Sequence, residues 1–131
     1  MEIHLNNKTA IITGAGQGIG LRIAELLHHS GANVILNDID PTLCNDAAKK
    51  VGTRCVAMPG DSSDPIFIEQ MVRKAVEAFG ELNIAIANAG ITLFGAFNHY
   101  PVSDFERVMD VNLRGTFYLA QLASNQMIKQ G

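Results

Sequence analysis

Apolar positions along this chain change period several times. Thr9 to Thr13 (TAIIT) is a short β-branched run ending at a glycine, and it predicts a buried strand. Ile19, Ile23, Leu26 and Leu27 then recur at helical spacing, with Gly31 as the stop. Asn33 to Asn37 (NVILN) predicts a second strand. Asp40-Pro41 supplies an N-cap and a first-turn proline for a helix whose apolar face is Leu43, Cys44, Ala47, Ala48 and Val51, closed by Gly52. Arg54 to Met58 predicts a third strand. Asp64-Pro65 repeats the start signal for a helix carrying Ile68, Met71, Val72, Ala75, Val76 and Phe79, with Gly80 as its stop. Asn83 to Ala87 (NIAIA) predicts a fourth strand. Ser103 and Glu106 have capping-box spacing and open one long pattern that reaches about Lys129. Strands apolar on both faces and alternating with helices predict an α/β fold with a parallel, doubly wound sheet and right-handed crossovers. No internal repeat, low-complexity tract or boundary divides the pattern, so residues 1–131 read as one domain.

Composition narrows the partners. Hydrophobic residues make up 47% and charged residues 18% of 131 positions, enough for one core. The net charge is −3, the pI is near 5.7 and no basic patch stands out, so nucleic acid is not an expected partner. Cys44 and Cys55 lack metal-ligand spacing, and two free thiols point to a reducing cytoplasm. No metal site is expected. The start, MEIHLNNKT, has neither the charged nor the apolar region of a signal peptide. No stretch approaches the ~18 apolar residues of a membrane span.

The candidate chemistry begins at Thr13–Gly20, TGAGQGIG. A strand, a glycine loop and a helix start make an anion site, because unpaired N–H groups and the positive end of the helix dipole face the ligand. The loop has no lysine, so it is not a P-loop. Gly-x-Gly-x-x-Gly also fails, since its third glycine would fall on Ile19 or Leu21. Gly-x-x-x-Gly-x-Gly fits, at Gly14, Gly18 and Gly20. A carboxylate about 20 residues on, at the end of the second strand, is where a ribose 2′-hydroxyl is read. Asp38 lies there. It would repel a 2′-phosphate, and Gln17 offers no positive charge, so NAD is expected over NADP. Asp61, after the third strand, suits an adenine amino group, with the Ser62 N–H donating to the ring; turn chemistry is the plainer alternative. Asn88 ends the fourth strand within Asn-Ala-Gly, a sequence that also suits an ordinary turn.

Taken in order, T-G-x-x-x-G-I-G at Thr13–Gly20, Asp38, Asp61-Ser62, Asn88-Ala89-Gly90 and VNLRGTF at Val111–Phe117 resemble the short-chain dehydrogenase/reductase family over essentially the whole chain. The resemblance implies a Rossmann-type sheet in the order 3-2-1-4 and an NAD(P)-binding domain. Gly14, Gly18 and Ile19 would line the pyrophosphate, with Gly16, Gln17 and Gly20 in the same loop. Asp38 and Ile39 would hold and flank the adenosine, and Asp61 and Ser62 would meet adenine. Asn88, with Ala89 and Gly90 after it, would steady the fourth strand beside the cofactor. Asn112 would be the catalytic asparagine, kinking its helix and holding a water in a proton relay. A small alcohol or ketone would be the substrate of the full-length protein. The family also implies a homo-oligomer, with the last helix packed on its copy in a neighbouring subunit.

Here the sequence departs from the family. Tyr-x-x-x-Lys is absent: Tyr100 is followed four residues later by Asp104, and Tyr118 by Leu122. The family's catalytic serine, on the strand after the last helix, is absent as well. The chain therefore reads as the cofactor-binding half of an oxidoreductase, four strands truncated before the fifth, without the catalytic half. Two other readings stay open. One is a non-catalytic module that binds a dinucleotide or a partner; the other is a complete small domain of flavodoxin-like order, 2-1-3-4.

Overall fold

A computed structural model describes all 131 residues. The elements are β1 (Thr9–Ile12), α1 (Gly18–His29), β2 (Asn33–Asp38), α2 (Pro41–Val51), β3 (Cys55–Pro59), α3 (Pro65–Phe79) and β4 (Ile84–Ile86). A 3₁₀ turn at Phe97–His99 follows, then α4 (Val102–Met109), a π-helical turn at Asp110–Arg114 and α5 (Gly115–Gln130). The four strands are parallel and lie in the order β3-β2-β1-β4. That order excludes the flavodoxin-like alternative.

The side-chain period of two divides the strands between two cores. Ile11 and Ile35, paired in register, face α3 and α5 and meet Ile68, Met71, Leu82 and Leu119. Ile12, Val34 and Leu36 face the other way, with Ala24 of α1 and Cys44 and Ala47 of α2. Each of these large side chains is fully buried, which stabilises the fold by roughly 1.5–3 kcal/mol apiece. Asp40 and Asp64 cap α2 and α3 as expected: Asp40 accepts from the Thr42 and Leu43 N–H groups, and Asp64 from that of Ile66.

The last helical segment differs from its reading. Ser103 is not an N-cap. Pro101, already extended at φ −63° and ψ 136°, occupies that position, and the Phe105 N–H bonds its carbonyl at 3.1 Å. Ser103 thus lies inside the first turn, with no capping bond. Nor is there one continuous α-helix. At Gly115 the N–H reaches back five residues to the Asp110 carbonyl, and this wide turn separates α4 from α5.

Candidate functional site

The carboxyl ends of β1, β2 and β4 meet on one side of the sheet, where a doubly wound fold places its ligand. From β1 the chain turns through Gly14 at φ +62°, a conformation costly for any residue with a Cβ. A Cβ there would also lie 2.8 Å from the Ala89 Cα. Asn88 then fastens β4 to this turn: its Nδ2 donates to the Thr13 carbonyl at 3.1 Å and the Gly14 carbonyl at 2.9 Å. The Thr13 hydroxyl accepts from the N–H groups of Asn88 and Ala89, both at 3.1 Å. Gly20, at the start of α1, packs so closely that a Cβ would fall 2.4 Å from Asn88 Nδ2.

Gln17 precedes α1 and makes no side-chain cap. The N–H groups of Gly18, Ile19 and Gly20, in the first turn of the helix, therefore have no acceptor within the helix itself. Asp38 borders them. Its Oδ2 accepts from the Gly16 N–H and its Oδ1 from the Asp40 N–H, each at 3.0 Å. A Cβ at position 16 would sit 2.6 Å from Oδ2, so glycine is what lets the carboxylate close on the loop. One lone pair remains on each oxygen, an arrangement suited to two neighbouring hydroxyls.

At the end of β3, the Asp61 carboxylate is more heavily engaged. Oδ1 takes the Ser63 N–H at 2.9 Å and the Ser63 hydroxyl at 2.7 Å. Oδ2 takes Arg107 Nη1 at 3.1 Å. Burial alone would raise its pKa, but the Ser63 and Arg107 donors outweigh that and hold the carboxyl below its ordinary range.

These groups border a cleft of about 250 Å³. Of the sequence-predicted residues, Gly14, Gln17, Asp38, Ile39, Asp61, Ser62, Asn88, Ala89 and Gly90 line it. Gly16, Gly18, Ile19 and Gly20 are not in its wall; they shape the loop and the helix start, and Ile19 projects outward. Asn112 is not in the wall but bonds one of its residues, Ile91. Its Oδ1 accepts from the Ile91 N–H at 2.8 Å and its Nδ2 donates to the Ile91 carbonyl at 2.9 Å. The Asn112 carbonyl accepts from the Thr116 hydroxyl at 2.9 Å. Asn112 lies within the π turn that separates α4 from α5.

Four wall residues went unread in the sequence: Asn37, Ile91, Arg107 and Val111. Asn37 is the informative one. Inside an apolar strand and 1% exposed, it donates to the carbonyls of Met58 and Gly60, both at 3.0 Å. A buried polar residue in such a run was itself the available signal. No group of three or more His, Cys, Asp or Glu residues is placed to hold a metal ion. No helix is long and apolar enough to cross a membrane.

Comparison with known proteins gives a consistent result. A family model described as "short chain dehydrogenase" matches residues 8–131. The chain is 39% identical over 131 residues to an L-rhamnose 1-dehydrogenase (NAD(P)(+)) from a Sphingomonas species, covering 97% of this chain and 52% of that protein. It is 37% identical over 126 residues to galactitol 2-dehydrogenase from Agrobacterium fabrum, covering 96% of this chain and 49% of the relative. The crystal structure of a short-chain dehydrogenase/reductase, glucose/ribitol dehydrogenase, from Brucella melitensis superposes with a TM-score of 0.91 at 35% identity, over 96% of this chain and 54% of that one. The chain thus spans about half the length of the curated relatives it matches.

Proposed function

This chain belongs to the short-chain dehydrogenase family, and we propose that it is the cofactor-binding part of an NAD-dependent oxidoreductase acting on a small alcohol or its carbonyl partner. The observation that carries the reading is the placement of Asp38 against the glycine loop, bonded to the Gly16 N–H at 3.0 Å. The loop's glycines leave room for a pyrophosphate beside the uncapped start of α1, where the helix dipole favours negative charge. Gly14, Gln17, Gly18, Ile19 and Gly20 form that cradle, with Gly16 holding Asp38. The free lone pairs of Asp38 receive the ribose hydroxyls, and Ile39, 59% exposed, covers the adenosine. Asp61 and the Ser62 N–H serve the base. Asn88, Ala89 and Gly90 form the wall that keeps β4 beside the ligand. When bound, nicotinamide supplies the hydride-exchanging centre. Asn112 fixes the Ile91 main chain next to that wall, and the family resemblance gives it the place of the asparagine that holds a proton-relay water.

The relatives' names, a rhamnose and a galactitol dehydrogenase, support a sugar or polyol hydroxyl as the substrate class. NAD is preferred over NADP because a 2′-phosphate would meet the Asp38 carboxylate without a neighbouring cation from the loop. Titration of both reduced cofactors by nicotinamide fluorescence tests this. NADH is expected to bind at least roughly tenfold tighter, the effect of about 1.4 kcal/mol of charge repulsion. Asp38→Ala should narrow the gap. Equal or tighter NADPH binding by the unaltered chain would reject the assignment.

A further inference from the structure

Arg107 is the one cationic side chain on the wall of the cleft. It comes from α4, which follows β4, while its partner Asp61 follows β3 at the opposite edge of the sheet. Nη1 donates to Asp61 Oδ2 at 3.1 Å and to Ser63 Oγ at 3.3 Å. Ser63 in turn donates both its hydroxyl and its N–H to Asp61 Oδ1, at 2.7 and 2.9 Å. The contacts close a ring: Oδ1, Ser63 Oγ, Arg107 Nη1, Oδ2. Three of the four lone pairs of the carboxylate are thereby used, and the plane of the group is fixed. The pair lies at the surface, with the Arg107 and Asp61 side chains 38% and 40% exposed, so its contribution to stability is small. Its geometric effect is not small. Without Arg107, Oδ2 has two open lone pairs and rotation of the carboxylate is restrained only from the Ser63 side.

We infer that Arg107 is a positioning residue for base recognition: it leaves Asp61 one oriented acceptor facing the cleft, which takes an adenine amino group and refuses the carbonyl oxygen that hypoxanthine carries at the same position. The inference rests on the proposed dinucleotide site and assigns the source of its base selectivity. A carboxylate held as an acceptor pairs with a donor and repels another acceptor. Helix α4 thereby senses the base without touching it.

The test compares binding of NADH and reduced nicotinamide hypoxanthine dinucleotide to the unaltered chain, Arg107→Met, Arg107→Lys, Asp61→Ala and the Asp61→Ala/Arg107→Met double variant. Nicotinamide fluorescence gives the affinities, and circular dichroism melting checks the fold. The unaltered chain should prefer NADH about tenfold, as a hydrogen bond to a charged acceptor allows. In Arg107→Met the preference should fall to about threefold or less, chiefly through weaker NADH binding, and Arg107→Lys should lie between. In the Asp61→Ala background the Met substitution should leave the ratio unchanged. A helix-docking role alone would weaken both dinucleotides equally, so an equal loss, or an unchanged ratio in Arg107→Met, overturns the inference while leaving the site intact. If the Met variant does not fold, Arg107→Lys decides: an unaltered ratio there rejects the idea, because the lysine side chain is one atom shorter and its nitrogen falls short of the place that Nη1 holds between Oδ2 and Oγ. No NADH binding by the unaltered chain would overturn the dinucleotide reading itself, and this inference with it.

Discussion

Asn88 shows how one side chain can hold a binding loop in shape. Two carbonyls, of Thr13 and Gly14, both point at its amide. Asn88→Ala removes both donors at once and leaves half-buried acceptors to find water. The expected loss is about 1–3 kcal/mol, read as a lower urea midpoint at unchanged slope. NADH affinity should fall with it, because Gly14 is no longer held at positive φ. An unchanged midpoint would show that water replaces the amide without cost. At this scale the sequence was legible wherever a residue's place at the cleft is set by its neighbours in the chain. The glycines, Asp38 at a strand end and Asn88 before Ala89-Gly90 all belong to that class. Arg107 was not legible, because its partner Asp61 is 46 residues away and only the folded sheet brings the two together. Asn37 offered a weak signal that the strand's apolar pattern masked.

The same division holds for the elements. The six segments from β1 to α3 follow from period, cap and glycine stop, because each buries a single face or a single run. The stretch after β4 does not. Its apolar residues fit no single stripe, and the π turn is the reason: one extra residue in the turn rotates α5 relative to α4. Val111, Gly115, Leu119 and Ala123 become the buried line, while Leu113 and Phe117 are left outside. Gly115 is part of the same solution, since a Cβ there would lie 2.7 Å from the Ser62 carbonyl oxygen. The π turn is further tied to the cleft through Asn112, whose amide pairs with both polar groups of Ile91 much as a neighbouring strand would. Asn112→Ala should free that segment. Hydrogen exchange at the Ile91 amide is expected to accelerate, with β1 and β2 amides unaffected. Asn112→Asp should retain most of the protection, because an acceptor for the Ile91 N–H remains, although the donor to its carbonyl is lost. Equal exchange in all three chains would mean that the loop is held by other contacts.

Two expectations belong to the molecule as a whole. The first is that these 131 residues bind cofactor but do not turn over substrate, because no Tyr-x-x-x-Lys lies among them. General acid–base catalysis typically contributes ~10²–10⁴-fold, and neither Tyr100 nor Tyr118 has a lysine four residues on. Alcohol-dependent NADH production by the purified chain, in proportion to its concentration, would refute this. The second is self-association. A compact monomer of 14.1 kDa exposes roughly 6,700 Å² by the usual area scaling, whereas this chain exposes 7681 Å². The excess, about 1,000 Å², is comparable to one partner's share of a stable interface, about 800 Å². β4 pairs only with β1, so its outer edge offers unpaired N–H and C=O groups; nearby, Gln130 closes only the adjoining Leu82 with its side-chain amide. Phe105 on α4, Phe117 on α5 and Leu113 on the turn between them are 55–57% exposed, and Phe94 and Phe97 in the preceding segment are 93% and 98% exposed. Patches of this kind mark interaction surfaces or aggregation sites. Sedimentation equilibrium across a concentration series should therefore give a weight-average mass that rises with concentration. Phe117→Ser should move the equilibrium toward monomer without lowering the unfolding midpoint, because that side chain is half exposed in the monomer and contributes little to its core. A single species of 14.1 kDa at every concentration would mean that the free edge and the apolar helix face are tolerated in water.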